Sequence, residues 1–168
     1  MTSPYLLGYP PDTIQQVTAM QQSGKLGPWL QKKYPQAHGF RDDRALFAYV
    51  QELKQDYLKG AQLISKVQYD NKLQLLQNAL GTHTNIARVQ GSQLKAKREI
   101  RIASLFKDTP LEFLRMIAVH ELAHLKERDH DKNFYKLCSY MEPDYHQLEF
   151  EVRVYLGYLD TKAPPLWS

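Results

Sequence analysis

The spacing of apolar positions predicts that the chain begins with helices. Short helices are predicted at Ile14 to Gln22 and at Trp29 to Lys33, with the turn-forming stretch SGKLGP between them. A longer helix is predicted after Asp42 and Asp43, whose carboxylates are suited to cap its first turn. Its apolar residues recur at intervals of three and four positions: Leu46, Phe47, Val50, Leu53, Tyr57 and Leu58.

The middle of the chain has a strand-like pattern instead. Strands are predicted at Leu63 to Tyr69, at Asn85 to Val89 and at Glu99 to Leu105, where apolar and polar positions alternate. Helical periodicity returns from Thr109. Helices, a small sheet and further helices predict an α+β fold. We expect one domain over residues 1–168, with helices at about 1–60, the sheet at about 62–106 and the helices of the candidate site at about 109–160.

Composition places the chain among ordinary globular proteins. It has 168 residues, of which 43% are hydrophobic and 24% charged, and a formal net charge of +4. A single cysteine, Cys138, excludes an internal disulfide framework and a cysteine-cluster zinc site. The N-terminal stretch MTSPYLLGYPPDT lacks the features of a signal peptide, and the sequence has no apolar run long enough to span a membrane. We therefore expect a cytoplasmic protein without a membrane partner.

Residues 119–130 read VHELAHLKERDH and carry the candidate chemistry. The helix containing them is predicted to run from Pro110 to Lys126, with Thr109 as its N-cap and Glu112 completing a capping box. His120 and His124 are four residues apart, so both imidazoles lie on one helix face and can direct a nitrogen to one metal ion.

This arrangement is typical of metal-assisted hydrolysis. Neutral imidazoles favour Zn²⁺, although other divalent transition metals are compatible, and a catalytic site leaves one coordination position for water. The ion lowers the pKa of that water, and Glu121, adjacent to His120, can take its proton as general base. Glu121 is therefore the predicted catalytic residue, and His120 and His124 are predicted metal ligands.

The third ligand is open between a histidine and a carboxylate. His130 follows His120 by ten residues, the spacing of HExxHxxGxxH sites, but Glu127 occupies the glycine position. A different turn is then required, and Asp131 is suited to cap a following helix. Glu149 and Glu151 are the alternatives, as in zinc sites with two histidines and one glutamate. The spacing favours His130.

Other candidates carry weaker signals. Tyr145 and His146 are candidate donors to a developing oxyanion, with placement on the surface as the alternative. His38 and His83 have no partner at ligand spacing and are interpreted as non-functional. Cys138 is interpreted as a small buried apolar residue.

A basic stretch, GSQLKAKREIR at residues 91–101, precedes the candidate helix. Lys95, Lys97 and Arg101, together with Arg88, are predicted to bind substrate as a clamp for phosphates. The alternative is the solvated edge of a hairpin. Few aromatic residues accompany these cations, so the stretch gives little support to a nucleic-acid-binding surface.

At these motifs the sequence resembles the YgjP-like metal-dependent hydrolases, relatives of the zincin-type, SprT-like metallopeptidases. The resemblance rests on HELAHLKERDH followed by DKNFY, on YDNK at 69–72, on NALGTHT at 78–84 and on RVQGSQLKAKREIR at 88–101. It implies a zincin-like fold with a small sheet against the active helix, and it implies His120, His124 and His130 as ligands and Glu121 as the acid/base.

The resemblance leaves two substrates open. The family is labelled peptidase by its motif, and close members are associated with splitting uridine triphosphate into the monophosphate and pyrophosphate. A segment of the wider family before the last strand, tryptophan-glycine-serine-cysteine, is replaced here at 89–93, which weakens the expectation of peptide binding. A third alternative is a non-catalytic module in which the metal stabilises a nucleic-acid-binding fold.

Overall fold

The computed structural model of the protein describes residues 3–72 and 98–168, together with the backbone of residues 89–90 and 93–94. These parts form an α+β fold of the zincin-like type. Its helices are α1 (Pro11–Gln22), α2 (Leu26–Lys33), α3 (Asp43–Tyr57), α4 (Leu111–Ala123), α5 (Lys132–Met141) and α6 (Tyr145–Asp160), and its strands are β1 (Ile64–Asp70), β2 (Val89–Gln90), β3 (Gln93–Leu94) and β4 (Arg98–Ala103).

The N-terminal helices follow the predicted apolar pattern. In α3, Asp42 is the N-cap and its carboxylate accepts from the Ala45 amide at 2.7 Å. Asp43, the first helical residue, accepts from the Tyr69 amide at 2.9 Å and so joins α3 to β1. Helix α2 begins three residues earlier than predicted, at Leu26, because Pro28 is compatible with the first turn of a helix.

The sheet at the candidate site is a parallel pair of strands. β1 and β4 align Val67 with Ile100 and Tyr69 with Ile102, with a register shift between Ile64 and Lys66. β2 and β3 form a separate antiparallel pair. The predicted strand at Asn85 to Val89 is described only from Val89, and its first four residues lie outside the described part of the chain.

Helix α4 lies at the centre of the fold. It contacts β4, α3, α5 and α6, and nearly all its side chains are buried. The helix begins at Leu111, one residue after the predicted start, and its predicted cap was wrong. Thr109 does not cap α4, because its hydroxyl donates to the Phe106 carbonyl at 3.0 Å, and Pro110 occupies the N-cap position instead. The prediction that β4 extends to Leu105 was also wrong, since Ser104–Asp108 forms a 3₁₀ helix.

The predicted end of α4 at Lys126 was three residues too late. The α-helical pattern ends at Ala123, and residues 124–126 continue as a turn. The C-terminal segment after α6 returns to the core through Trp167, which is 5% exposed and donates to the Tyr34 carbonyl at 2.6 Å. Among the described residues, no helix combines the length and apolar character that crossing a membrane requires.

Candidate metal and active site

The structure brings the three histidines of the HELAHLKERDH motif together. His120 lies in α4, His124 is the C-cap of that helix, and His130 lies two residues before α5. One ring nitrogen from each histidine lies within 4.8 Å of the other two, and the Nε2 atoms of His124 and His130 are 3.0 Å apart. Two ligands of one tetrahedral zinc ion are expected about 3.3 Å apart, from metal–nitrogen bonds of about 2.0–2.1 Å.

The other ring nitrogens of two histidines have protein partners. Nδ1 of His124 is 2.9 Å from the Glu127 carbonyl, and Nδ1 of His120 is 2.7 Å from the Tyr145 hydroxyl. A carbonyl can only accept, so Nδ1 of His124 carries the proton and Nε2 is its basic nitrogen. This contact is typical of histidine ligands, whose second nitrogen is usually fixed by a hydrogen bond. The donor set therefore fits a divalent transition-metal ion.

One aromatic ring packs among all three histidines. Phe134 of α5 is fully buried, and its ring centroid lies 5.0 Å from that of His120, 4.5 Å from that of His124 and 4.9 Å from that of His130. Because a packed phenyl ring has few alternative rotamers, Phe134 restricts the orientations available to the imidazoles.

The chain reaches His130 without the glycine of longer zinc motifs. The Glu127 amide donates to the Ala123 carbonyl at 2.9 Å, and the Glu127 carbonyl accepts from His124. No residue between 124 and 131 has a positive φ in this fully described segment, so no position there requires glycine. Asp131 then caps α5 by accepting from the Phe134 amide at 3.0 Å, as the sequence predicts.

Glu121 follows His120 in α4 and is buried. It is 4% exposed, and its Oε2 has no hydrogen-bond partner among the residues that the structure describes. Burial raises the pKa of this carboxyl well above its usual range. A buried carboxyl oxygen without a partner is costly in a protein core, and carboxyls with strongly raised pKa values are concentrated at functional sites.

The alternative carboxylate ligands do not join the histidine cluster. Glu151 is fully buried and binds Lys33, Tyr34 and Gln147. Glu149 accepts from Arg153 at 3.0 Å. Neither belongs to the group of potential ligands formed by the described residues, which contains the three histidines.

Three residues of the predicted phosphate clamp, Arg88, Lys95 and Lys97, lie outside the described residues, as does His83. Arg101 is described, and its guanidinium lies 3.5 Å from Asp70 and 3.8 Å from Glu99. It therefore has acidic neighbours in the sheet.

The remaining candidates take different positions. Tyr145 is fully buried against His120, so surface placement was the wrong alternative for it, whereas His146 is exposed. His38 is buried, and its Nε2 lies 2.6 Å from the Phe106 carbonyl while Nδ1 accepts from the Phe40 amide at 3.0 Å. Cys138 is fully buried, as expected.

Sequence reasoning missed two residues that hold the site. Phe134 appeared only within the DKNFY block of the family resemblance, and Arg98 only as one cation of the basic stretch at 91–101. Arg98 in fact donates to the main-chain carbonyl of His124 at 2.7 Å. The DKNFY block beside the histidines was the available signal for Phe134, whereas nothing in the local sequence indicated the contact of Arg98.

Comparison with known proteins agrees with this geometry. The family model described as YgjP-like, metallopeptidase domain, matches residues 53–153, more than half of the chain. The chain belongs to the YgjP-like family. A curated relative, the UTP pyrophosphatase of Escherichia coli (strain K12), is 54% identical over 155 residues, which cover 92% of this chain and 93% of the relative. No solved structure matches the chain. As a YgjP-like protein with this site, the chain is a metal-dependent hydrolase.

Proposed function

We propose that the protein hydrolyses uridine triphosphate to the monophosphate and pyrophosphate, using a zinc ion held by His120, His124 and His130. The observation that carries the hydrolytic role is the buried Glu121 carboxyl adjacent to a metal-ligating histidine. A metal that only stabilised the fold would not need that carboxyl, because burying a carboxyl oxygen without a hydrogen-bond partner opposes folding.

The substrate is inferred from the curated relative. Identity of 54% across nearly the full length of both chains supports a shared reaction, and the relative is a UTP pyrophosphatase. A net charge of +4 favours an anionic substrate over a neutral one. Arg88, Lys95, Lys97 and Arg101 remain predicted phosphate contacts.

Each residue has a distinct role in the proposed reaction. When bound, the ion would supply Lewis acidity to the attacking water and to the substrate phosphate. Glu121 accepts a proton from that water as its oxygen attacks the α-phosphorus. The bond from the α-phosphorus to the oxygen bridging to the β-phosphorus then breaks, and pyrophosphate leaves with the bonding electron pair.

Pyrophosphate release from uridine triphosphate tests the proposal. Glu121→Gln in zinc-loaded protein is expected to reduce release by about 10²- to 10⁴-fold or more, since it removes the general base. Glu112→Gln is the matched control, because Glu112 lies exposed in the first turn of the same helix. Its rate should equal that of the wild type.

Two results would contradict the proposal. Equal release by wild type and Glu121→Gln would remove Glu121 from the mechanism. Absence of release by metal-loaded wild type would exclude this substrate. Cleavage of an unstructured peptide that is lost in Glu121→Gln would then assign the site to peptides, as the description of the family model suggests.

A further inference from the structure

The hydroxyl of Tyr145 lies deep in the protein against a candidate metal ligand. Tyr145 is the first residue of α6 and is fully buried. Its hydroxyl is 2.7 Å from Nδ1 of His120, and the two rings are nearly parallel, at 20°. A buried tyrosine needs a partner for its hydroxyl, and here that partner is the imidazole of a candidate metal ligand.

The protonation of the two ring nitrogens of His120 determines which group donates in this hydrogen bond. If His120 binds metal through Nε2, its Nδ1 carries the proton and donates to the Tyr145 oxygen. The hydroxyl proton of Tyr145 must then be given to a different acceptor, because an unsatisfied buried hydroxyl is costly. The sequence places a candidate acceptor one helical turn further along α6.

The candidate acceptor is Glu149. It lies four residues after Tyr145, on the same face of α6, and is 7% exposed. Its Oε2 accepts from Arg153, whereas its Oε1 is buried and has no hydrogen-bond partner within the described part of the chain. Burial raises the pKa of the Tyr145 hydroxyl well above its usual range, and the negative charge of Glu149 raises it further.

We propose that Tyr145 and Glu149 form a positioning relay for His120, in which His120 donates through Nδ1 to Tyr145 and Tyr145 donates to Glu149. The inference rests on the metal site of the proposed function. In many metal sites a carboxylate accepts directly from a ligating histidine and so orients it. In the proposed relay, the phenol of Tyr145 lies between the carboxylate and the histidine. Arg153 holds the far end of the relay, since it binds Glu149 and also donates to the Tyr5 carbonyl at 3.2 Å.

Metal affinity measured without substrate tests the relay. Tyr145→Phe keeps the ring and removes the hydroxyl, so the zinc dissociation constant, obtained by competition with a chromogenic chelator, should rise about 10- to 100-fold. Tyr155→Phe is the matched control. Tyr155 is also buried in α6, but its hydroxyl accepts from the Leu166 amide at 3.2 Å, and its loss should leave zinc affinity unchanged.

A second variant separates the relay from a general loss of folding. Glu149→Gln should also weaken zinc binding, and the double variant with Tyr145→Phe should bind no more weakly than Tyr145→Phe alone, since both changes interrupt one chain of hydrogen bonds. The melting temperature of each metal-free variant reports folding independently.

Three outcomes would overturn the relay. Unchanged affinity in folded Tyr145→Phe would do so, as would an equal loss in Tyr155→Phe or additive losses in the double variant. All of them leave the proposed hydrolase intact. Absence of zinc binding by the wild type would instead refute the proposed metal site itself.

Discussion

The guanidinium of Arg98 donates to the main-chain carbonyl of His124 at 2.7 Å. His124 is the C-cap of α4, where carbonyls lack partners within the helix and cations are favoured. Arg98 is the first residue of β4, so this bond joins the sheet to the end of the helix that carries two candidate ligands. Partial burial lowers the pKa of the Arg98 guanidinium.

Arg98→Met should therefore weaken both folding and metal binding. The change keeps an unbranched apolar stem and leaves the His124 carbonyl without its donor, at a cost of about 1–3 kcal/mol. Urea unfolding measures the loss of stability, and chelator competition measures the loss of zinc affinity. Arg41→Met is the control, since the exposed Arg41–Asp108 pair contributes about 1 kcal/mol or less. Equal losses of stability and of zinc affinity in Arg98→Met and Arg41→Met would show that the contact with the His124 carbonyl has no special role.

Phe134→Ala should destabilise the protein by about 3–5 kcal/mol, because it removes a fully buried phenyl ring and leaves a cavity among the histidines. Zinc affinity should fall as well, since the imidazoles lose the surface that orients them. Calorimetry and chelator titration measure the two effects. Tyr140→Ala, at a position 61% exposed on the same helix, should cost far less and leave zinc affinity unchanged. Wild-type zinc affinity in folded Phe134→Ala would contradict the orienting role.

His38 should make stability depend on pH. Burial lowers its pKa below the usual value of about 6.5, and Arg41 lowers it further, while the Phe106 carbonyl and Asp108 act in the opposite direction. The His38 imidazole therefore takes up a proton less readily in the folded protein than in the unfolded chain. The stability that the fold gains by keeping His38 neutral is fully present above about pH 6.5. It is lost as the pH falls from there towards the lowered pKa of His38.

Melting temperatures between pH 8 and 5.5 test this effect in zinc-saturated protein. His38→Gln should show a smaller decrease than the wild type over that interval, because the glutamine amide does not titrate. Comparing the two proteins cancels the contributions of the other histidines. Identical pH profiles would show that His38 does not titrate differently in the folded and unfolded states.

Cys138 should be unreactive in the folded protein. Burial raises the pKa of its thiol to about 12, and the side chain is fully inaccessible. A chromogenic disulfide reagent at pH 8 should modify it only as fast as the protein unfolds, and at once in denaturing urea. Lys136→Cys, at an exposed position of the same helix, should add one rapidly reacting thiol. Rapid reaction of native wild type would contradict the burial.

The sequence predicted the elements better than their junctions. Periodicity correctly assigned α3 and β1, because each repeats one pattern over several residues. The start of α4 was misjudged since Thr109 has the right residue type for a cap, but its hydroxyl is engaged by Phe106 in the preceding 3₁₀ helix. The spacing of residues along the chain does not reveal that Phe106 engages the hydroxyl that would otherwise cap α4.

The closeness of His120 and His124 could be predicted from the sequence, whereas the residues that contact them from other elements could not. Residues four apart on a helix share a face whatever surrounds them, so His120 and His124 could be paired from sequence alone. Which of His130, Glu149 and Glu151 lies beside that pair depends on the path of the chain after α4. Tyr145 and Arg98 reach the histidines from distant elements, and apolar periodicity does not reveal which polar atoms meet across such a distance.

The closeness of the three histidines along the chain has a thermodynamic consequence. His120, His124 and His130 occur within eleven consecutive residues, so they stay near one another when the protein unfolds. An unfolded chain with clustered imidazoles retains affinity for zinc. A ligand that binds both states stabilises the fold only by the difference between its binding free energies for the folded and unfolded states. Excess zinc should therefore raise the melting temperature by less than the affinity of the native protein would imply.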